Sequence, residues 1–263
     1  MNTGNINEVY LFSSSGRSGS RLLNQALCRS PITIPCFHEY DIGFLKRAIV
    51  SYLDGETTRS ELQSLIVESF SRVRDPFIDC SYLYAYIPDV IRDIDFPFKL
   101  VQIHITRHPI EIVRSWVQKL GSEIYPANRL RDIRSVNLRQ ESHPNQRSLY
   151  WPQIPSWLLV KDDCLVEKVC YHYLATNIPI IRYNLHTDVN RIPVVSLEEL
   201  VTLRKDCGIP GVIVDALSRS TLDLKRPLNI VKPFTSELLP EEYATIKRLC
   251  GAVGEALGYT FDG

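Results

Sequence analysis

The feature that most constrains this chain is a short apolar strand followed by a loop of small residues and the start of a helix. The strand covers residues 9–12, and the loop covers residues 13–21 and contains Arg17 and Arg21. Small residues let backbone N–H groups approach an anion, and the N–H groups at a helix start point towards it. The loop lacks the Gly-Lys-Ser/Thr ending of a Walker A motif. The pattern therefore predicts a phosphate-binding loop that differs from an ordinary ATP or GTP site.

Composition limits the partners of this chain. Its 263 residues, 44% of them hydrophobic, are enough for one large α/β domain over residues 1–263. Thirty basic and thirty acidic residues cancel, so no global field attracts nucleic acid or an acidic membrane. We therefore expect neither as a partner, and any anion site must be built locally. Seven cysteines without a Cys-x-x-Cys pair argue against a disulfide framework or structural zinc.

The start of the chain predicts a cytoplasmic location. Residues 1–5 are polar and uncharged, unlike a secretory signal. No run of about 18 apolar residues occurs that would predict a membrane span. The sequence leaves the oligomeric state open.

Strands alternate with helices along the chain, which predicts an α/β fold with a mainly parallel central sheet flanked by helices. Strands are expected at residues 9–12, 32–37, 77–80, 99–105, 179–183 and 193–197. Helices are expected at residues 22–28, 42–53, 59–73, 84–94, 110–120, 161–176 and 240–258.

Residues 121–157 break this periodicity. They contain four prolines and five arginines, together with Tyr150, Trp151 and Trp157. A long irregular insert is uncommon unless it is a lid, a binding segment or disordered, and the aromatic residues argue against disorder. We expect this insert to be an acceptor-binding lid.

A second candidate anchor follows the strand expected at residues 99–105. Arg107 leaves the carboxyl end of that strand, where open α/β sheets bind ligands, and Ser115 lies two turns into the next helix. An arginine fork and a hydroxyl suit a phosphate monoester. The alternative is an arginine that caps a helix or forms a surface ion pair. His104, inside the same strand, is interpreted as a core histidine.

With both anchors in view, the chain resembles the PAPS-dependent sulfotransferases, whose donor is 3′-phosphoadenosine 5′-phosphosulfate (PAPS). In that family an Arg/Lys-Ser-Gly-Thr/Ser loop holds the 5′-phosphosulfate, and residues 17–20 match it. A strand ending in Arg-x-Pro and a serine in the next helix hold the 3′-phosphate, matched by Arg107 and Ser115. The similarity continues at residues 195–200 and 257–259.

The resemblance implies a P-loop-like three-layer architecture, PAPS as donor, 3′,5′-ADP as product, and no metal. It assigns the donor to Arg17, Ser18, Gly19, Ser20, Arg21, Leu22, Arg107 and Ser115. Arg21 departs from the family pattern, which more often has a small hydroxyl residue there, and either adds a second positive charge or turns outward. The acceptor is expected to be a small molecule, and its identity and sulfated atom, oxygen or nitrogen, stay open.

Sulfuryl transfer needs a base for the acceptor and charge stabilisation on the leaving oxygen. Arg17 suits the second role. The family includes enzymes with a glutamate at the end of the strand after the loop, so Glu39 is the expected base and His38 the alternative. The histidine that the cytosolic branch uses has no counterpart in residues 81–98. Two other functions remain: a nucleotide or small-molecule kinase, and a non-catalytic nucleotide-binding protein.

Overall fold

The computed structural model describes residues 8–53, 55–124, 165–187, 191–202, 208–222 and 238–261. The chain divides into two compact units. The first comprises Met1–Thr106 and Pro179–Leu228, and the second comprises Arg107–Ile178 and Asn229–Gly263. The single domain expected over residues 1–263 stays a prediction. Of the lid expected at residues 121–157, residues 121–124 continue a helix and the remainder lies outside the described residues.

A parallel sheet forms the first unit and confirms the expected α/β class. Its strands are β1 (Glu8–Ser14), β2 (Cys36–His38), β3 (Ile78–Cys80), β4 (Lys99–Thr106) and β5 (Val194–Ser196). Their order is β2-β3-β1-β4-β5, and each neighbouring pair is parallel. The chain leaves β1 towards β2 on one side and leaves β4 towards β5 on the other. The carboxyl ends of β1 and β4 therefore form the topological switch point where open α/β sheets bind ligands.

Helices connect these strands and build the second unit. In chain order they are α1 (Ser20–Cys28), α2 (Ile42–Leu53), α3 (Arg59–Phe70), α4 (Pro88–Arg92), α5 (Pro109–Ile124), α6 (Leu165–Leu185), α7 (Leu197–Thr202), α8 (Gly211–Ser218) and α9 (Pro240–Ala256). A 3-10 helix (Tyr82–Tyr86) precedes α4. The second unit contains α5, α9 and α6 up to Ile178.

The two faces of the sheet differ in polarity. On one face, Phe12 and Ile103 belong to a buried apolar cluster with Leu23 and Leu27 of α1 and Leu217 of α8. The cluster excludes water from this face, and its burial is the main favourable contribution to folding there.

The opposite face carries a buried polar row. Ser13 Oγ and His104 Nδ1 are hydrogen-bonded at 3.0 Å, and Gln102 Nε2 donates to Ser13 Oγ at 3.4 Å. Gln102 Nε2 also donates to the Tyr84 carbonyl at 3.0 Å. His104 is fully buried, which confirms it as a core histidine. These hydrogen bonds satisfy polar groups that would be costly to bury alone.

The strand expected at residues 179–183 is wrong, because these residues form the last turns of α6. Ile180 and Tyr183, three positions apart, pack together with Ile192 in a small buried cluster. That spacing fits one face of a helix rather than a strand. The burial of this helical face therefore prevails over the β propensity of the segment.

Two other elements differ from expectation in extent. The strand expected at residues 32–37 is formed only from Cys36 onward, as β2. The helix expected at residues 84–94 is divided into the 3-10 helix and α4 at Ile87. Pro88 at the first position of α4 explains the division, since a proline starts a helix more readily than it continues one.

The second unit packs α5, α6 and α9 around its own apolar cluster. Ile112, Trp116, Tyr173, Ile246 and Cys250 are among the buried side chains.

In the described residues no helix is long and apolar enough to cross a membrane. Among the described residues, the free thiols are Cys28, Cys36, Cys80, Cys170 and Cys250.

Candidate active site

The loop between β1 and α1 has the backbone of an anion cradle. Gly16, Arg17 and Gly19 have φ values of 65°, 54° and 93°. Successive N–H groups in such conformations form concavities that bind anions. The loop is held by its own serines, because Gly16 N donates to Ser14 Oγ at 3.2 Å and Ser18 Oγ donates to the Gly16 carbonyl at 3.1 Å. The cradle is therefore preformed.

Gly19 joins this cradle to α1 at a position that strongly favours glycine. A Cβ at this position would collide with Leu197 Cδ1, at the start of α7, and its φ of 93° disfavours any L side chain. As the N-cap of α1, Gly19 offers no side-chain cap, and the first turn of α1 contains no acidic residue. The first N–H groups of a helix have no intrahelical acceptor, so those of Ser20, Arg21 and Leu22 suit an anion.

Glu39 lies in a strained turn directly after β2. Its φ is 60°, and Asp41 has a φ of 46°. In the described residues, the non-glycine residues with positive φ are these two and Arg17. Each such residue costs about 1–2 kcal/mol, and such strain clusters at functional sites. Two of these three are the residues that the sequence selects as catalytic.

Hydrogen bonds to Asp79 of β3 hold this turn in place. Its carboxylate accepts the Tyr40 backbone N–H at 3.1 Å and the Tyr84 hydroxyl at 2.5 Å. Burial raises the pKa of the Asp79 carboxyl, whereas the hydrogen bonds from Tyr84 and Tyr40 act to lower it. Next to it, the Cys80 carbonyl accepts the Glu39 N–H at 3.1 Å. Strand β3 thus fixes the backbone on both sides of the Glu39 side chain.

The far end of the turn is fixed by Asp41. Its carboxylate accepts the Ser69 hydroxyl and Arg72 Nη1, each at 2.9 Å. Arg72 in turn lies over the Phe44 ring of α2, 5.2 Å from its centroid. The strained conformation is therefore maintained by contacts to Ser69 of α3 and to Arg72, the second residue after this helix.

His38 lies beside Glu39, and the charge of Arg21 acts on it. His38 Nδ1 lies 3.9 Å from Glu39 Oε2. Burial lowers the pKa of His38, Asp79 raises it, and the positive charge of Arg21 lowers it. His38 is thus disposed to be neutral at pH 7. Arg21 itself is exposed, and its charge reaches the end of β2 from the first turn of α1.

Lys46 on α2 is a charged residue near this site that the sequence interpretation missed. It is only 8% exposed. Burial lowers the pKa of Lys46 to about 8, and the negative charge of Glu39 acts to raise it. The missed signal is helical spacing: Lys46 follows Ile42 by four positions and precedes Ile49 by three, so it lies on the apolar stripe of α2.

Thr106, the last residue of β4, is a second missed candidate. Ser14 is in register with Ile105, so Thr106 lies at the carboxyl edge of the sheet beside the end of β1. Its buried hydroxyl has no hydrogen-bond partner among the described residues. A buried polar group without a protein partner commonly binds water or a ligand.

The second anchor belongs to the second unit. Arg107 is the first residue after β4, and Ser115 lies in α5. Arg107 Nη2 donates to Glu111 Oε2 at 3.1 Å, and its side chain is 33% exposed. Glu111 also accepts Arg114 Nη1 at 2.8 Å. The ion-pair alternative is therefore realised, although a guanidinium has five N–H donors and can bind a phosphate as well.

The fold has known counterparts. Neither a family model nor a curated protein matches the sequence. The sulfotransferase domain of the Synechococcus PCC 7002 olefin synthase is 17% identical, with 99% of this chain and 98% of that chain covered and a TM-score of 0.50. A sulfotransferase from Alicyclobacillus acidocaldarius is 16% identical, with 94% and 93% covered and a TM-score of 0.48. The chain has the sulfotransferase fold that its two anchors implied.

Proposed function

We propose that this protein is an enzyme that transfers a sulfuryl group from PAPS to a hydroxyl or amine of a small-molecule acceptor. The observation that carries the proposal is the strained backbone of both Arg17 and Glu39, within a sulfotransferase fold. Strain of this kind persists only where the surroundings enforce it, and here the surroundings do so at the two residues with proposed catalytic roles.

Binding of PAPS is assigned to two groups of residues. The cradle, with Arg17, Ser18, Gly19, Ser20, Arg21 and Leu22, binds the 5′-phosphosulfate. Its preformed N–H groups and its basic residues support this role. Arg107 and Ser115 bind the 3′-phosphate, a role supported by the resemblance of the Arg-x-Pro segment. The Thr106 hydroxyl can donate a further hydrogen bond to an anion beside β1.

In the proposed reaction, Glu39 accepts the proton of the acceptor hydroxyl or amine. The acceptor atom forms a bond to sulfur, and the bond between sulfur and the bridging phosphate oxygen breaks. The electron pair leaves with 3′,5′-ADP, whose developing negative charge is stabilised by Arg17 and the cradle N–H groups. His38, with its lowered pKa, is the alternative base. The protein needs no metal in this scheme.

The partner of the enzyme is then a small molecule in the cytoplasm, rather than nucleic acid or a membrane. The equal numbers of acidic and basic residues support this part of the proposal.

Thermal unfolding with different ligands tests the donor. PAPS and 3′,5′-ADP should raise the melting temperature, because a ligand stabilises the state that it binds, whereas ATP with magnesium should not. A larger shift with ATP would favour a kinase and contradict the proposal.

Turnover is tested by incubating the protein and PAPS with pools of small alcohols and amines. We expect release of 3′,5′-ADP together with an acceptor that gains the mass of a sulfuryl group. PAPS binding without release in any pool would indicate a non-catalytic nucleotide-binding protein.

A further inference from the structure

Helix α9 ends in a turn that directs the chain back towards the start of α5. Gly258 has a φ of 86°. The N–H of Gly258 donates to the Glu255 carbonyl, and the N–H of Tyr259 donates to the Gly254 carbonyl, each at 2.9 Å. These two bonds form a Schellman motif, which commonly ends a helix at a glycine. The turn therefore sets the direction of residues 259–261, which we call the return segment.

The return segment packs on His108, the residue before α5. The His108 ring centroid lies 5.4 Å from that of Tyr259 and 5.2 Å from that of Phe261. His108 Nε2 lies 2.9 Å from the Thr260 carbonyl oxygen. The other ring nitrogen, Nδ1, accepts the Ile110 N–H at 3.2 Å, in the first turn of α5. One side chain thus joins the start of α5 to the return segment.

These two hydrogen bonds determine which nitrogen of His108 carries the proton. A carbonyl oxygen can only accept, so Nε2 is the donor to Thr260 and carries a proton. Nδ1 accepts the N–H of Ile110 and therefore carries none. The ring is the neutral Nε2–H tautomer. In the other tautomer an N–H at Nδ1 would face the Ile110 N–H, and this bond would be lost.

A glycine of α9 lets the return segment approach the first residue of α5. A Cβ at Gly254 would lie 2.9 Å from Phe261 Cε2 and 3.2 Å from Pro109 Cγ, both shorter than an ordinary carbon–carbon contact. Tyr243 of α9 holds the same segment, because its hydroxyl donates to the Phe261 carbonyl at 2.9 Å. The residue that follows His108 is therefore packed tightly between α9 and the return segment.

We propose that His108 is a positioning residue for Arg107: its two hydrogen bonds fix the backbone from which the Arg107 guanidinium reaches the 3′-phosphate of the donor. Arg107 directly precedes His108, and its side chain is oriented by Glu111. A guanidinium–phosphate fork depends on geometry as well as charge, so a shift of its backbone weakens it. Recognition of the 3′-phosphate rests on the function proposed above, whereas the link between α5 and the return segment does not.

Nitrogen-15 NMR of the whole protein tests this link without donor or acceptor. Labels at the histidine ring nitrogens report which of them carries a proton, and the His108 signals are identified by their loss in His108→Gln. At pH 8, where an ordinary imidazole is neutral, we expect a single tautomer with the proton on Nε2. A mixture of tautomers, as in a solvated imidazole, or a proton on Nδ1 would overturn the proposal.

Calorimetry with two nucleotides tests the positioning role. 3′,5′-ADP carries the 3′-phosphate and 5′-AMP lacks it, so the pair separates an effect on this phosphate from general damage to the site. His108→Ala should raise the Kd for 3′,5′-ADP by about tenfold, comparable with the loss of one hydrogen bond. The Kd for 5′-AMP should stay close to that of the wild type.

Two conservative variants of His108 each keep one of its hydrogen bonds. His108→Asn retains an acceptor near the position of Nδ1, and His108→Gln retains a donor near the position of Nε2. Each should bind 3′,5′-ADP more tightly than His108→Ala and less tightly than the wild type, because both bonds fix the backbone. Binding by both variants that is as weak as in His108→Ala would contradict a role for these bonds.

Two glycines of α9 provide a matched pair that leaves His108 unchanged. Gly254→Ala introduces a Cβ against Phe261 and Pro109, whereas a Cβ at Gly251, in the turn before, would meet nothing within 4 Å. Gly254→Ala should therefore show the same selective loss of affinity for 3′,5′-ADP. Gly251→Ala should bind both nucleotides as the wild type does and be no less stable, since alanine favours a helix more than glycine does.

The outcomes separate this role from the proposed function. Wild-type protein that binds neither nucleotide would reject the proposed function and the positioning role with it, while the NMR result would still decide the link. A selective loss in Arg107→Ala with unchanged binding in His108→Ala and Gly254→Ala would overturn the positioning role and leave the proposed function standing. Equal losses for both nucleotides in His108→Ala would show a purely structural role and would also overturn the proposal.

Discussion

The Asp79 carboxylate accepts the backbone N–H of Tyr40, and together with the Glu39 N–H bond to the Cys80 carbonyl this contact ties β3 to the turn that presents Glu39. The second carboxylate oxygen accepts the Tyr84 hydroxyl, so both oxygens of Asp79 are used. The partners come from β3, from the turn after β2 and from the 3-10 helix. Three elements therefore determine where the proposed base lies.

Asp79→Asn should destabilise the protein by about 1–3 kcal/mol, because an amide has one acceptor oxygen and leaves a buried donor unsatisfied. Urea denaturation measures the loss. Tyr84→Phe is the control, since it removes one hydrogen bond and leaves the contact to Tyr40, and its cost should be smaller. An Asp79→Asn variant as stable as the wild type would show that this contact does not hold the turn.

Two substitutions of Arg17 distinguish the effect of losing its charge from the effect of backbone strain. Arg17→Gly and Arg17→Ala both remove the guanidinium, but only glycine fits the φ of 54° without strain. Both should lower the turnover number by roughly 10²-fold while changing the Kd for PAPS less, since the charge matters most in the transition state. Arg17→Lys should recover part of the rate. A change confined to the Michaelis constant for PAPS would contradict the transition-state role.

Glu39→Gln should lower the rate of transfer by about 10²–10⁴-fold, the usual cost of losing a general base. Binding of 3′,5′-ADP, measured by calorimetry, should stay close to that of the wild type. Glu39→Gly should be equally inactive and yet more stable by about 0.5–1 kcal/mol, because glycine relieves the positive φ. His38→Ala is the control. If His38→Ala is inactive and Glu39→Gln keeps its activity, His38 is the base.

Arg107→Ala should weaken binding of 3′,5′-ADP by roughly 2–4 kcal/mol, because a charged hydrogen-bond fork to phosphate is lost. Ser115→Ala should cost less. Glu111→Gln should tighten binding slightly, since it removes an exposed pairing partner worth about 0–1 kcal/mol. Adenosine 5′-phosphosulfate, which lacks the 3′-phosphate, is the comparison ligand. Equal losses for both ligands would place Arg107 elsewhere.

Lys46 should make stability depend on pH in the alkaline range. Its pKa is about 8 in the folded protein and ordinarily 10.5, so between these values the unfolded chain binds more protons. The free energy of unfolding should therefore rise from pH 8 to 10.5, by about 1–3 kcal/mol for this group. Subtracting the profile of Lys46→Met isolates this contribution. A flat difference would show that Lys46 keeps its ordinary pKa.

The sequence predicts the elements whose pattern is local. Strands β1 and β4 and helices α2 and α3 lie close to their expected positions, because apolar spacing within each segment determines its conformation. The prediction for residues 179–183 is wrong because the β-branched residues of this segment favour a strand and its proline disfavours the interior of a helix. Its burial depends on Ile192, which follows the helix. Packing against a residue outside the segment cannot be predicted from the sequence of the segment alone.

The site was predictable only in part. Glu39 and Arg17 were found through their resemblance to a family motif, but the positive φ of Glu39 is held by contacts of its turn to Asp79 and Cys80, which are distant in sequence. Lys46 had a local signal, a charge on an apolar stripe. Asp79 had none, since its importance lies in hydrogen bonds to Tyr40 and Tyr84 that the sequence does not reveal.

The close approach of Gly19 and Leu197 bears on how the protein is made. β1 lies between β3 and β4, with Tyr10 paired to Ile78 and Glu8 to Lys99, and the loop after β1 packs against a helix that begins at Leu197. Contacts so distant in sequence slow folding, because the chain must close long loops before it gains from them. On the ribosome, β1 emerges before β3 and β4, so both of its edges are unpaired until these two strands follow. The apolar strand that carries the anion cradle is therefore exposed to intermolecular pairing during synthesis, a hazard that chaperones counter.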